Sequence, residues 1–216
     1  LSVSATGGTI TKTYSIEARI YNLPVNQPNL ISKNMKASVK VDNLNCEYSD
    51  EIEEDIDVST LNYLSTDWNN SIFNLVSNQG VDVANVDSVY FVDTSATKPG
   101  SAENIALFKG TDNNVIKTWT NGNNLYIGSK GTTYPGPSMG YAFYNMQNLN
   151  VLDMNNVNTS NVTNMHGMFT FTGENSTQFT LNLGNEFNTS NVTNMYGMFW
   201  NTGSRSTVFT LNLGNE

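Results

Sequence analysis

Residues 157–186 and 187–216 are one thirty-residue phrase written twice, with 23 of 30 positions identical. Its centre is "NTSNVTNMHGMF" at 158–169, repeated as "NTSNVTNMYGMF" at 188–199. A weaker copy precedes them. "MGYAF" at 139–143 matches "MHGMF" at 165–169 at an offset of 26, and "LDMNNVN" at 152–158 resembles "LNLGNEFN" at 181–188. The basic period is therefore 26, with four residues inserted in the next copy around "TFTGENSTQ". Self-similarity at 20–50 residues marks units that cannot bury their apolar face alone and must be covered by their neighbours.

Within one unit, Val162, Met165, Met168 and Phe169 are spaced 3, 3 and 1, which predicts one face of a short helix capped by Thr159 or Ser160. Leu181 and Leu183 alternate with Thr180 and Asn182 as in a short strand with one buried face. The expected coil is a strand, a turn and a helical segment, closing one turn of a leucine-rich-repeat-like solenoid. Coils fall at about 139–156, 157–186 and 187–216. The predicted core is Val162, Met165, Met168, Phe169, Leu181 and Leu183, with Val192, Met195, Met198, Phe199, Leu211 and Leu213 in the next copy. Enclosing such side chains contributes roughly 1.5–3 kcal/mol each before conformational entropy is charged against it.

At these residues the chain resembles the 26-residue repeat of bacterial surface proteins, the BspA-like branch of leucine-rich-repeat proteins. Leu152, Asp153 and Met154 match its strand. Thr159 to Met165, Met168 and Phe169 match the rest, as do Thr189 to Met195, Met198 and Phe199. "NNVIKTWTNGNNLYIGSKG" at 113–131 resembles the strand pair preceding the first repeat of such proteins, so the likeness spans about residues 86–216. Asn182 and Asn212 stand where Asp is usual. The resemblance implies display on a bacterial cell surface and adhesion to a host extracellular protein, another cell or a glycan.

The rest of the chain reads as α+β. "TYSIEARIY" and "MKASVKV" alternate with a period of two, as half-buried strands do, and "NLPVNQPN" separates them as a loop. Leu61, Leu64, Trp68, Ile72, Leu75 and Val76 form a helical stripe, predicting one helix over about 59–79 between Ser59 and Gly80. "DEIEEDID" at 50–57 reads as a solvated acidic run feeding that helix, since it lacks the glycine and bidentate spacing of a calcium loop. "SVYFV", "NIALFK", "NVIKTWT" and "NLYIG" are strands, the last two joined by a hairpin at "TNGN". The expected organisation is a β-rich module over 1–85, a strand and hairpin cap over 86–130, and repeats over 131–216.

Composition restricts function. The chain has 216 residues, a net charge of −9 and only 13% charged residues, and past Lys130 its single Lys or Arg is Arg205. No basic stripe is available for nucleic acid. Polarity rests instead on uncharged groups, including 35 asparagines. No apolar run reaches the roughly 18 residues of a membrane span. One cysteine, Cys46, allows no internal disulfide and no cysteine-based zinc site. The chain begins at Leu1 and its last copy ends at Leu211 and Leu213 without polar capping, so a targeting signal, further repeats and an anchor are expected outside this stretch.

Chemistry-bearing residues are few. His166 is the single histidine, and Tyr196 replaces it in the next copy. After residue 112 the acids are Asp153, Glu174, Glu186 and Glu216, and the last two share one repeat position. No phosphate-binding glycine motif is present, and no metal or cofactor is expected. Five Asn-X-Ser/Thr sequons fall in the repeats, at Asn158, Asn161, Asn175, Asn188 and Asn191, and are read as turn chemistry rather than glycan sites. Among the positions that differ between copies, His166, Tyr196, Trp200 and Phe171, with Thr170 beside them, are the candidate binding surface. The expectation is a non-enzymatic adhesion module. A structural spacer or assembly module without its own ligand is the alternative, and a carbohydrate-active enzyme a distant third.

Overall fold

The computed structural model describes residues 56–97 and 104–214. The chain divides into two compact units, Leu1–Ile56 and Asp57–Glu216. The strands expected at 14–20 and 35–41 and the run of acids before Ile56 lie outside the described residues. Residues 57–85, expected in the first module, belong to the second unit.

Seven strands form one mixed sheet. They are β1 (Ser88–Asp93), β2 (Ala106–Lys109), β3 (Val115–Asn121), β4 (Asn124–Ser129), β5 (Val151–Asp153), β6 (Gln178–Asn182) and β7 (Val208–Asn212). Their order is β2-β3-β4-β1-β5-β6-β7. Strands β2, β3 and β4 are antiparallel neighbours, while β1 runs parallel to both β4 and β5. The β3–β4 hairpin turns on Gly122 and Asn123, and its positive φ falls on Gly122 at +57°, the first central position of a tight hairpin turn. Alternation places Val89 and Phe91 of β1 and Leu125 and Ile127 of β4 in the core.

The repeats continue this sheet in parallel, Leu152 of β5 beside Leu181 of β6 and Leu181 beside Leu211 of β7. The insertion is visible in the register. Asn164 and Ser138, bonded across the first pair of copies, are 26 positions apart, but Asn182 and Asp153 are 29 apart. The extra length is absorbed between the turn segment and β6.

The short helix expected in each copy does not form, and the leucine-rich-repeat-like solenoid built on it is not the fold. A helix needs each N–H to reach the carbonyl four residues back. Over 165–171 alternate residues send their N–H groups elsewhere. Met165, Gly167, Phe169 and Phe171 donate to the carbonyls of Asn194, Tyr196, Met198 and Trp200 in the next copy, at 2.8–2.9 Å. The residues between them, Met168 and Thr170, donate three positions back, to Met165 and Gly167. Met139, Tyr141, Phe143 and Asn145 repeat the pattern one copy earlier. Each copy is therefore tied to the next twice, once through its strand and once through a ladder of turns.

This ladder requires left-handed backbone at fixed places. Tyr141, Gly167 and Gly197 share one repeat position and have φ of +58°, +58° and +63°. Asn145, Phe171 and Asn201 share another, at +61°, +58° and +54°. Left-handed residues inside the segment exclude an α-helix. The capping role also moves. Asn158 Oδ1 accepts from Ser160 N at 2.9 Å, while the Thr159 hydroxyl donates to the carbonyl of Asn188 in the next copy.

The helix expected over 59–79 contracts to α1 (Ile72–Ser77), capped by Ser71, with a single 3-10 turn at Val58–Thr60 before it. Between them Asp67 and Asn70 pair antiparallel and close a tight turn. That turn interrupts the helical stripe and leaves Trp68 at its tip.

The core lies between the sheet and the turn segments, with Phe91 of β1 meeting Phe143 edge-on at 6.3 Å. Phe143, Phe169 and Phe199 stack at 5.7 and 5.2 Å, and Phe179 on Phe209 at 5.5 Å. Val162, Met165, Met168, Phe169, Leu181, Leu183 and Met198 are buried as expected. Five predicted core residues of the last copy are not. Met195, Phe199, Leu211 and Leu213 are exposed and Val192 is half-buried, because no copy within residues 1–216 packs over their repeat face.

Hydroxyls knit the copies together. Thr172 donates to the Phe143 carbonyl and Thr202 to the Phe169 carbonyl, both at 2.7 Å, while Ser176 donates to the Leu149 carbonyl and Ser206 to the Gly173 carbonyl. Uncharged polar side chains that satisfy carbonyls between stacked turns account for a chain so poor in charge.

A candidate aromatic groove across the stacked copies

All four residues singled out by their variation between copies line one groove. His166, Phe171, Tyr196 and Trp200 are joined there by Trp68, Tyr141 and Tyr144, with Gly167, Thr170 and Gly197 forming the floor. Its volume is about 180 Å³. No Lys, Arg, Asp or Glu side chain lines it.

The ladder of turns places these rings in sequence. Thr66 bridges to Met139, Ser138 to Asn164, and Asn164 to Asn194. Trp68, Tyr141 with Tyr144, His166 with Phe171, and Tyr196 with Trp200 thus stand on four successive levels. At the usual strand spacing of about 4.8 Å, the groove runs roughly 15 Å across the stack.

Each ring is held by an identifiable contact. Trp68 sits on the turn closed by Asp67 and Asn70, where Asp67 Oδ1 accepts from the backbone N–H of Asn69 at 2.8 Å and of Asn70 at 3.0 Å. The Asn69 backbone bond, then the Asn70 side chain, hold the Asp67 carboxyl below the ordinary carboxylate range. The Trp68 ring meets Tyr141 edge-on at 4.8 Å and Tyr144 at 5.2 Å. Tyr141 lies over Gly167, where an added Cβ would come within 2.6 Å of its Cε1. The Tyr141 hydroxyl and His166 Nε2 are 2.9 Å apart, and the His166 ring meets Tyr196 edge-on at 5.4 Å. Phe171 contacts Tyr144 at 6.2 Å.

Three rings present most of their surface to solvent: Tyr196 at 70%, Trp68 at 61% and Trp200 at 58% exposed. His166 and Phe171 are half-buried, and Thr170 is buried with its hydroxyl on the Gly197 carbonyl. Thr170 therefore varies between copies without being a surface position. Among the described residues, no hydrogen bond from another side chain or backbone group engages the indole N–H of Trp68 or Trp200, or the hydroxyl of Tyr144 or Tyr196.

Two groove residues carry backbone strain. Tyr141 and Phe171 occupy the left-handed positions that glycine or asparagine fills in the other copies. A bulky residue there costs of order 1–3 kcal/mol, and such strain concentrates at functional sites. Sequence reasoning missed Tyr141 and Tyr144 because their copy is divergent, and Trp68 because its spacing fits a helix. The available signal was the aromatic Tyr141 at a glycine position of the repeat.

Three of the four acids noted after residue 112 have partners in the stack, and Glu216 lies outside the described residues. Asp153 Oδ1 accepts from Asn155 N, Glu186 Oε2 from Asn158 Nδ2, and the buried Glu174 pairs with Arg205 at 3.5 Å. Two sequon asparagines, Asn158 and Asn188, accept from the backbone N–H of the serine two residues on, as turn chemistry requires.

Residues 137–215 match the model of a family described as "Mycoplasma protein of unknown function, DUF285". That span holds all three copies, so the repeats are similar to a bacterial family, and the match gives no support to the narrower BspA-like branch. Searches of curated proteins and of solved structures each found no match. Among the described residues no helix is long and apolar enough to cross a membrane.

Proposed function

We propose that this chain is a non-enzymatic recognition module of a bacterial surface protein, acting in adhesion through the aromatic groove. The observation that carries the reading is convergence. Of the seven positions that differ between the two copies, three, at 166/196, 170/200 and 171/201, bring His166, Phe171, Tyr196 and Trp200 together at one place, beside three aromatic residues from outside the matched phrase. A stack maintained only for length has no need to place its aromatic departures from the repeat side by side, or to hold Tyr141 and Phe171 in strained backbone. The similarity of residues 137–215 to a bacterial family supports the setting; display outside the cell is part of the proposal.

Binding of the whole chain to immobilised glycans and extracellular matrix proteins tests it, with Tyr196→Ala and Trp200→Ala compared side by side. Loss of one partner in both variants supports the reading. Unchanged binding of every partner by the double variant removes it.

A structural role in spacing or assembly is the second reading, favoured by the apolar surface exposed at Met195, Phe199, Leu211 and Leu213. That role expects association that rises with concentration. A single monomeric species in sedimentation across the micromolar range counts against it.

A further inference from the structure

We infer that the groove takes an extended, uncharged sugar chain, laid across the stack with its rings on Trp68, Tyr196 and Trp200. The inference rests on the groove being the recognition face and adds the chemistry of what it recognises.

Three features select this ligand. First, charge: no Lys, Arg, Asp or Glu lines the groove, so a sulfated, uronic or sialic acid sugar would lose water without gaining a partner. The chain's net charge of −9 also repels polyanions. Second, amphipathic rings: the exposed faces suit the C–H face of a pyranose, while the unengaged indole N–H groups and tyrosine hydroxyls can meet its equatorial hydroxyls. A trimethylammonium group would use the π faces but cover those donors without satisfying them. Third, spacing: successive levels rise by about 4.8 Å, close to the advance of one pyranose along an extended chain. Trp68 on the first level and Tyr196 with Trp200 on the fourth then stand about three sugar units apart.

The prediction is a length dependence that follows the stack. Neutral oligosaccharides of the cello-, chito- and malto- series, one to six units long, are titrated into the whole chain while tryptophan fluorescence and heat are followed. One series binds, with affinity rising steeply to about three units and levelling beyond. Trp200→Ala and Phe171→Asn each lower it by tenfold or more, and the latter leaves the thermal midpoint in place. Heparin, hyaluronan and polygalacturonate give no saturable signal at moderate salt.

Tighter binding of a charged glycan than of its neutral counterpart overturns the inference. So does saturable binding of choline or of a proline-rich peptide in place of sugar. A protein partner lost in Trp200→Ala, with no sugar response, overturns the sugar and leaves the groove as the recognition face. If no partner of any class distinguishes wild type from the groove variants, both readings fall.

Discussion

Phe171, held at φ +58°, donates its backbone N–H to the Trp200 carbonyl at 2.9 Å, so a strained residue of one copy anchors a groove residue of the next. The same turn position holds Asn145 and Asn201 in the neighbouring copies, also left-handed. Asparagine tolerates that backbone and phenylalanine does not. The ladder of turns can be built without the phenylalanine, whose side chain instead faces Tyr144 and the groove.

Stacking of the copies should show as unequal core substitutions. Phe169 is fully buried between Phe143 and Phe199, whereas Phe199 is 42% exposed. Phe169→Ala is expected to cost about 3–5 kcal/mol and Phe199→Ala about 1–2 kcal/mol, measured by denaturant unfolding. Equal losses would mean that the final copy is as fully enclosed as the one before it.

The hydroxyl bonds between copies should be measurable one at a time. Thr172→Val keeps shape but removes the donor to the Phe143 carbonyl. A loss of about 1 kcal/mol is expected in equilibrium unfolding. Thr207→Val, at an exposed position, should stay within about 0.5 kcal/mol.

Acid should loosen the turn that carries Trp68. Hydrogen bonds from Asn69 and Asn70 lower the folded-state pKa of Asp67 relative to a free side chain. Its contribution is therefore complete above about pH 5 and is lost as pH falls through the folded value. Asp93 is lowered likewise, first by the Ser95 hydroxyl and then by the backbone N–H of Gly131 and Ser95, so the sheet loses support in the same direction. Tryptophan emission is expected to shift below about pH 4. In Asp67→Asn the Trp68 part of that shift should be absent, and an identical acid profile would show that Asp67 does not hold the turn.

Much of the sheet was legible in the sequence. β1 to β4 alternate cleanly, and the "TNGN" turn fixes the hairpin between β3 and β4. The turn segments were not legible, because Val162, Met165, Met168 and Phe169 bury one side at a spacing that two structures share. A helix and a chain of turns with i→i−3 bonds both place these four inward, and the destination of each alternate N–H in another copy is invisible locally. Gly167 and Gly197 in mid-segment were the local warning. Trp68 was misread for a related reason: its place in the stripe is helical, but Asp67 and Asn70 take the backbone out of the helix. His166, Phe171, Tyr196 and Trp200 were legible as candidates because repetition makes departures conspicuous. That they share one groove follows from the stacking register.

The most direct test replaces Phe171 with the residue its repeat position otherwise holds. Phe171→Asn relieves left-handed strain of order 1–3 kcal/mol while giving up an aromatic contact of about 0.5–1.5 kcal/mol. The fold should therefore be unharmed. Thermal unfolding and ligand titration on the same preparation are expected to show a midpoint within about 4 °C of wild type, or above it, and binding weakened tenfold or more. A variant that binds as wild type does, at an unchanged midpoint, would contradict the claim that the breaks in the repeat, and not the repeated phrase, carry the function.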